Sequence, residues 1–275
     1  MAIAMITGAS AGLGLEFGWQ LATARHDLVI VARDAQRLER LASQLRAAAG
    51  IHVEVLPADL SDAGQVDRVA ERLRDRSRPV GLLVNNAGFG LAERFVGGDL
   101  DEQLRALDVM VRAVLVLSHA AVEPMVERGR GAILNVSSVA ALTAMGTYSA
   151  HKAWVRTFTE SLAVELRGTG VTATALCPGL VHTEFHERAG IESWEAPELA
   201  WLNADQVVSA ALADVRRGVV ISTPSLRYTV ASGLARILPR RVIRAVSGGL
   251  AQRDATPDEA APGGSEPDVA GATLD

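Results

Sequence analysis

Six short apolar runs along the chain are each separated from the next by a segment long enough for a helix. Runs of this length, bounded by polar or glycine-rich segments, are typical of strands that are buried on both faces. Their alternation with helices indicates βαβ units and a parallel sheet. We therefore predict an α/β fold with a single doubly wound parallel sheet of the Rossmann type and helices on both faces. The six runs are Ile3–Ile6, Leu28–Val31, Val53–Leu56, Leu82–Val84, Ala132–Val136 and Val171–Leu176.

The length and composition of the chain favour one domain. With 275 residues, 49% hydrophobic and only 4% aromatic, the chain can bury one large core made of Ala, Val, Leu and Ile. We predict that this domain spans residues 1–250. Its helices are expected at Leu13–Ala24, Ala35–Ala48, Ala63–Arg76, Asp101–Arg128 and Tyr148–Arg167.

The last third of the chain has a weaker pattern. Residues 182–203 include Trp194 and Trp201 without a clean period, as expected of a lid that covers a site. Residues 254–275 hold six acids and no base, which predicts a disordered acidic tail.

The overall charge and the cysteine content exclude several classes of function. A net charge of −5 with a pI near 5.7 gives no general electrostatic reason to expect nucleic acid as a partner, because phosphate binding needs a clustered basic surface. Cys177 is the only cysteine, which excludes an intrachain disulfide and a multi-cysteine metal site, and fits a reducing compartment. We therefore expect a soluble cytoplasmic protein that does not bind nucleic acid.

A glycine-rich segment follows the first predicted strand and opens the first predicted helix. Its sequence is TGASAGLG, residues 7–14. In this context Gly8 permits a tight turn, Gly12 lets the backbone approach a pyrophosphate, and Gly14 lets the helix pack on the strand. The segment, which includes Ser10 and Leu13, predicts a dinucleotide site.

The end of the second predicted strand bears on which dinucleotide binds. An acid there would bind the ribose diol of NAD, but this chain has Ala32 followed by Arg33. A guanidinium can bind a 2′-phosphate through two hydrogen bonds, so NADP(H) is favoured. The alternative is a solvated Arg33 paired with Asp34.

A tyrosine and a lysine are placed for proton transfer. Lys152 is the only lysine of the chain, and it lies four residues after Tyr148, one of two tyrosines. Residues at this spacing share a helix face. A nearby cation stabilises phenolate and so lowers the pKa of a phenol, which is otherwise about 10. The alternative is an ordinary helix-surface pair.

Taken together, these motifs resemble those of the short-chain dehydrogenase/reductase family, over about residues 2–190. The shared features are the TGxxxGxG spacing, the YxxxK pair, Asp59-Leu60, the NNAG segment at residues 85–88, and Pro178-Gly179 followed by Thr183. The resemblance implies an oxidoreductase that interconverts a ketone and a secondary alcohol, with Tyr148 as general acid/base, Lys152 tuning it and Ser138 orienting the substrate oxygen. It also implies cofactor contacts at Asp59, Leu60, Asn86, Ala87, Gly88, Val181 and Thr183, besides Tyr148 and Lys152.

The serine assignment has an alternative, and one residue near the site departs from the family pattern. Ser138 precedes Tyr148 by only ten residues, so Ser137 remains a lesser candidate for its role. Met110 stands where the family usually has an asparagine that helps a water chain carry protons to the lysine, and a thioether is a poor substitute. Proton supply is therefore expected to be rerouted or slowed.

No metal site is expected. His182 and His186 could share a helix face, but no third ligand is evident. The tryptophans of the lid favour a small hydrophobic carbonyl or alcohol as substrate.

Two other functions stay open. One is a catalytically weak NADP(H)-binding sensor or scaffold, which Met110 motivates. The other is a membrane-surface enzyme that makes peripheral contact through residues 226–250, where leucine and valine recur beside arginines. The family resemblance also implies a homo-oligomer, a dimer or tetramer, with the helices Asp101–Arg128 and Tyr148–Arg167 at the dimer interface.

Overall fold

A computed structural model of the protein describes residues 3–91, 95–183 and 197–253. The strands in these ranges are β1 Ile3–Thr7, β2 Asp27–Ala32, β3 Val53–Pro57, β4 Val80–Asn85, β5 Gly131–Val136, β6 Val171–Leu176, β7 Leu180–Val181, β8 Trp201–Leu202 and β9 Ile221–Ser222. The α-helices are α1 Gly12–Thr23, α2 Ala35–Ala49, α3 Ala63–Arg74, α4 Leu100–Leu107, α5 Ala113–Glu127, α6 Gly146–Glu165, α7 Ala204–Arg217, α8 Leu226–Ile237 and α9 Arg240–Arg253.

Seven of the described strands form one parallel sheet. Their order is β3-β2-β1-β4-β5-β6-β9, and every neighbouring pair runs parallel. From β1 the chain moves outward to β2 and β3, then crosses back to β4 on the other side of β1. Such a reversal opens a crevice at the carboxyl ends of β1 and β4, where ligands of open α/β sheets bind. The predicted doubly wound α/β fold is confirmed.

The core consists of two apolar layers, one on each face of the sheet. Side chains of a strand alternate between its faces, so Ile6 and Ile30 pack in one layer while Met5 and Val29 pack in the other. The first layer is covered by α1, α2 and α7, and the second by α3, α5 and α6. Burial on both faces explains why the strands appear in the sequence as continuous apolar runs.

Side chains and glycines fix the ends of several helices. The carboxylates of Asp34 and Asp62 accept hydrogen bonds from backbone amides in the first turns of α2 and α3. Gly50 and Gly218 end α2 and α7 in the left-handed region, with φ of 63° and 68°.

The structure differs from the sequence prediction in two places. The helix predicted over Asp101–Arg128 is divided, because a π-helical turn at Asp108–Arg112 separates α4 from α5. Beyond Leu176, the pattern did not predict β7, β8, α7 or β9; β7 and β8 pair as a separate two-stranded parallel sheet. The helical stretch Leu100–Glu127 is long and apolar enough to cross a membrane, but 56% of its most apolar part is buried, as in a core helix.

Candidate active site

The glycine-rich loop lies at the crevice between β1 and β4. Gly8 has a φ of 66°, and a β-carbon there would lie 2.9 Å from the Cα of Ala87. A β-carbon at Gly14 would lie 2.1 Å from the carbonyl oxygen of Gly8, so only glycine lets α1 start this close to the loop. A β-carbon at Gly12 would lie 3.5 Å from Cβ of Thr183. The predicted residues Gly8, Gly12, Gly14, Ala87 and Thr183 are therefore brought together.

Thr7 and Asn86 join this loop to the segment that follows β4. The Thr7 hydroxyl accepts hydrogen bonds from the backbone amides of Asn86 and Ala87, at 3.0 and 3.1 Å. The Asn86 side-chain amide donates to the carbonyl oxygen of Thr7 at 2.9 Å and to that of Gly8 at 3.3 Å. Thr7 has a structural role that the sequence analysis missed, although it is the first residue of the glycine-rich motif.

Arg33 and Asp59 lie near each other beyond the ends of β2 and β3. The Arg33 side chain is exposed. Burial alone would raise the pKa of Asp59, but hydrogen bonds from the amide and hydroxyl of Ser61, at 3.0 and 2.8 Å, and the charge of Arg33 hold it below its ordinary value. The Asp34 carboxylate accepts from the Arg37 amide at 3.0 Å as the cap of α2. The guanidinium is therefore exposed on the side of the sheet where an adenosine ribose would lie.

Ser138, Tyr148 and Lys152 meet where β5 ends beside α6. The hydroxyls of Ser138 and Tyr148 form a hydrogen bond, and Lys152 Nζ lies 5.6 Å from the centroid of the Tyr148 ring. Lys152 is only 5% exposed, and its ammonium donates to the carbonyl oxygen of Val136 at 2.9 Å. The structure thus brings together the three side chains that the sequence predicted as catalytic.

Burial moves the pKa values of this tyrosine and lysine in opposite directions. It raises the pKa of Tyr148 to about 12, because phenolate loses its solvation, and the hydrogen bond to Ser138 only partly opposes this rise. Burial also lowers the pKa of Lys152 to about 8, because the ammonium is desolvated. The lowered phenol pKa that the nearby lysine led us to expect is therefore not found. At neutral pH the Tyr148 phenol holds its proton, and Lys152 is charged in most molecules.

The structure separates Ser138 from its neighbour Ser137. Ser137 is 2% exposed, and its hydroxyl donates to the backbone carbonyl of Lys152 at 2.7 Å. Ser138 lies past the end of β5, partly exposed, and accepts from the Ala140 amide at 3.1 Å. Ser137 therefore fixes the helix that carries Lys152, and Ser138 is the serine that faces Tyr148.

Met110 lies beside Lys152, where the family resemblance places it. A β-carbon at Gly88 would lie 3.4 Å from Cγ of Met110 and 3.5 Å from both its sulfur and Lys152 Nζ. Met110 is 1% exposed and lies within the π-helical turn. An apolar side chain therefore occupies the space next to the lysine and Gly88.

A chain of buried polar side chains lies behind the site. The Asn85 side-chain amide donates to the Ser118 hydroxyl at 3.1 Å and to Oδ1 of Asn135 at 2.9 Å, and Nδ2 of Asn135 donates to the Thr159 hydroxyl at 3.0 Å. These bonds join β4, α5, β5 and α6, so they fix the strand that leads to Ser138 against the helix that carries Tyr148. This network was not expected from the sequence, where its only signal is the polar residues near the ends of two apolar strands.

The described ends of the predicted lid are held by local contacts. Val181 is buried in β7, and His182 stacks on Trp201 with ring centroids 4.7 Å apart. His182 Nε2 also lies 3.2 Å from a carboxylate oxygen of Glu198. No cluster of three potential metal ligands occurs among the described residues. Trp194, His186 and most of the lid lie outside the described ranges.

Comparison with known proteins agrees with this geometry. Residues 2–193 match the short chain dehydrogenase family model. Sulfoacetaldehyde reductase 2 of Chromohalobacter salexigens is 36% identical over an alignment of 188 residues, and the alignment covers 66% of this chain and 74% of that protein.

Two solved structures are similar over nearly their whole length. A short-chain dehydrogenase from Sphingobium yanoikuyae in complex with NADPH has a TM-score of 0.79 and 33% identity, covering 95% of this chain and 99% of that one. The bulky-bulky ketone specific alcohol dehydrogenase from Comamonas testosteroni has a TM-score of 0.74 and 29% identity, covering 87% and 96%. The protein is therefore an oxidoreductase of the short-chain dehydrogenase/reductase family.

Proposed function

We propose that the protein is an NADP(H)-dependent reductase that interconverts a bulky apolar ketone and its secondary alcohol. The observation that carries the proposal is the hydrogen-bonded pair of Ser138 and Tyr148 beside the buried Lys152 ammonium. A neutral phenol next to a fixed cation is suited to give a proton to a carbonyl oxygen and to have the resulting negative charge stabilised.

The crevice fits a dinucleotide. At Gly8 and Gly14 a side chain would collide with neighbouring backbone, and the Asn86 side-chain amide fixes the loop by donating to the carbonyl oxygen of Thr7. The N-terminus of α1 provides amides for the pyrophosphate. Asp59 and Leu60 would flank the adenine, and Val181 and Thr183 the nicotinamide end. The residues present therefore fit the cofactor, which supplies the hydride when it is bound.

Three side chains of the protein supply the proton and orient the substrate carbonyl. The Ser138 hydroxyl holds the carbonyl oxygen, and the Tyr148 phenol transfers its proton to that oxygen as the carbonyl carbon gains hydride. The Lys152 ammonium then stabilises the phenolate. In alcohol oxidation the phenolate takes the proton back, so the same groups serve both directions.

The preference for NADP(H) rests on the end of β2. Ala32 leaves no carboxylate there to hold a ribose diol, and the exposed Arg33 guanidinium can bind a 2′-phosphate. The related Sphingobium yanoikuyae enzyme was solved with NADPH, which supports the same choice.

A screen of NADPH oxidation tests the function. Bulky apolar ketones should be reduced, in keeping with the specificity named for the Comamonas testosteroni relative. Sulfoacetaldehyde serves as the comparison substrate, because the Chromohalobacter salexigens relative is named for it. Reduction of sulfoacetaldehyde alone would refute the apolar substrate, and no turnover of any carbonyl would refute the reductase.

The second candidate is an NADP(H)-binding sensor or scaffold with little turnover. It is favoured by one observation, the buried Met110 beside Lys152. Met110→Asn restores a donor and acceptor at that position, although an unpaired buried amide would cost about 1–3 kcal/mol of stability. If proton delivery limits the wild type, this variant should be faster and show a smaller solvent isotope effect. An unchanged rate and isotope effect would show that the proton takes another path.

We also propose that the protein is a homodimer through α4, α5 and α6. These helices expose large apolar side chains that a partner copy would cover, among them Leu104, Leu115 and Val164, which are 47%, 45% and 55% exposed. Analytical ultracentrifugation should give a dimer or tetramer at micromolar concentration, and a monomer would contradict the proposal.

A further inference from the structure

An apolar stripe runs along the outer face of α8. Leu226, Val230, Leu234 and Ile237 are 80%, 55%, 56% and 78% exposed. Their spacing of four, four and three residues places them on one side of the helix. A soluble protein rarely leaves four large aliphatic side chains of one helix in water, so this stripe is suited to contact another apolar phase or surface.

The opposite face of α8 is already fixed to the body of the protein. The Tyr228 hydroxyl donates to the Ala200 carbonyl at 2.7 Å and accepts from the Leu180 amide at 3.2 Å. A β-carbon at Gly179 would lie 2.0 Å from the Tyr228 ring, so the ring lies directly against the backbone of Gly179. The stripe is therefore a stable outward surface rather than a core face that lacks its partner.

The segment of the chain that contains the stripe is strongly basic. Residues 215–253 contain no acid and eight arginines. Arg240, Arg241 and Arg244 at the start of α9 are exposed. Within the ranges that the structure describes, none of these three guanidinium groups forms an ion pair. Their charge is available to an anionic partner.

The first two turns of α9 lie close to the segment between β5 and α6. The Ser247 hydroxyl accepts from the Ala144 amide at 3.1 Å, and Arg240 lies 3.5 Å from the Leu142 carbonyl oxygen. The helix α8 also contacts the short helical turn Val139–Leu142. The apolar stripe and the arginines therefore belong to the same side of the fold as the Ser138–Tyr148 loop.

We propose that α8 and the start of α9 form a docking surface for an anionic lipid bilayer. Aliphatic side chains enter the interface between headgroups and acyl chains, while arginines contact lipid phosphates. Residues 1–214 hold 19 basic and 26 acidic side chains, a net charge of −7 that is repelled by such a surface and so orients the bound protein.

Two other occupants explain the surface less well. In a symmetric dimer the same patch faces itself, which would bring the arginines of both copies together. The acidic segment 254–275 could neutralise the arginines, but Val269 and Leu274 are its only large aliphatic residues, too few to cover the stripe.

Co-sedimentation of the full-length protein with vesicles tests the proposal. One set of vesicles contains equal parts of phosphatidylglycerol and phosphatidylcholine, and the other only phosphatidylcholine. We expect binding to the anionic set at low salt, little binding to the neutral set, and loss of binding at high salt as the charges are screened. Absence of binding to anionic vesicles at low salt would overturn the proposal.

Two variants with matched controls locate the surface. Replacing Arg240, Arg241 and Arg244 with Gln should lower the partition coefficient about 100-fold, roughly fivefold for each arginine. The same change at Arg40, Arg74 and Arg130, which are also exposed, alters the net charge equally and should have a much smaller effect. Equal losses in the two triple variants would overturn the assignment, because only overall charge would then matter.

The apolar part is tested in the same way. Val230→Glu should weaken binding, whereas Val96→Glu, at a valine that is 88% exposed elsewhere, should not. Both sites are exposed, so folding should survive, and circular dichroism checks this. Sedimentation velocity without lipid tests whether a second copy of the chain covers the stripe instead. If Val230→Glu loses an oligomer that the wild type forms, and the wild type does not bind vesicles, the bilayer proposal is wrong and the stripe is an interface between two copies.

Discussion

The burial of Lys152 should make the stability of this protein depend on pH in a way that one substitution removes. Desolvation lowers the pKa of Lys152 from 10.5 to about 8. Below pH 8 the lysine is charged in both the folded and the unfolded state. The shift in pKa then means that burial of the ammonium lowers the free energy of unfolding by about 3 kcal/mol. Between pH 8 and 10.5 the unfolded state binds more protons, so stability rises with pH, and above 10.5 the cost is gone.

Lys152→Met removes the charge and keeps an unbranched apolar stem. It also removes the donor to the Val136 carbonyl, which costs about 1–3 kcal/mol if the carbonyl stays unpaired. At pH 7 the variant should therefore be as stable as the wild type or up to about 2 kcal/mol more stable. The free energy of unfolding of the wild type, relative to that of the variant, should increase by about 2–3 kcal/mol from pH 7 to pH 10.

Urea unfolding followed by circular dichroism at pH 7, 8, 9 and 10 measures this difference. Lys152→Arg is the control, because arginine stays charged over the whole range and its stability relative to Lys152→Met should not change with pH. A constant difference between the wild type and Lys152→Met across this range would refute the reasoning.

The remaining predictions concern the cofactor and the two serines. Arg33→Ala should weaken NADPH binding about tenfold, because a charge-assisted phosphate contact is lost, and should leave NADH binding unchanged. Fluorescence titration measures both affinities, with Arg40→Ala as the control. An equal loss of affinity for both cofactors would contradict the assignment. Ser138→Ala should lower kcat/KM about tenfold or more because the carbonyl oxygen loses a hydrogen bond, with NADPH binding retained. Ser137→Ala should instead lower the unfolding free energy by about 1 kcal/mol with activity retained, and the opposite result in steady-state kinetics would exchange the roles of the two serines.

Much of the fold and the clustering of the site could be predicted from the sequence. All six predicted strands form, because strands buried on both faces need continuous apolar runs, as at Ile3–Ile6. The sole lysine four residues after Tyr148 does lie beside it. These features are local in sequence, or they follow from the parallel topology.

Other features depend on contacts between distant residues. The strand β9 is only two residues long and forms because it pairs with the free edge of β6. A segment this short has no periodicity from which a strand could be predicted. The π-helical turn around Met110 does not interrupt the apolar periodicity enough to be seen. The choice between Ser137 and Ser138 required knowing which hydroxyl bonds to the backbone of α6.

The rate of ketone-dependent NADPH oxidation by Tyr148→Phe tests the central claim most directly. Phenylalanine keeps the ring but removes the transferable proton. The rate should fall about 10²-fold or more, while NADPH binding, followed by fluorescence, stays nearly unchanged. Tyr228→Phe removes the hydroxyl of the other tyrosine, which bonds to the backbone of Leu180 and Ala200 and not to Ser138, and it should lower the rate much less. Full ketone reduction by Tyr148→Phe would contradict the account.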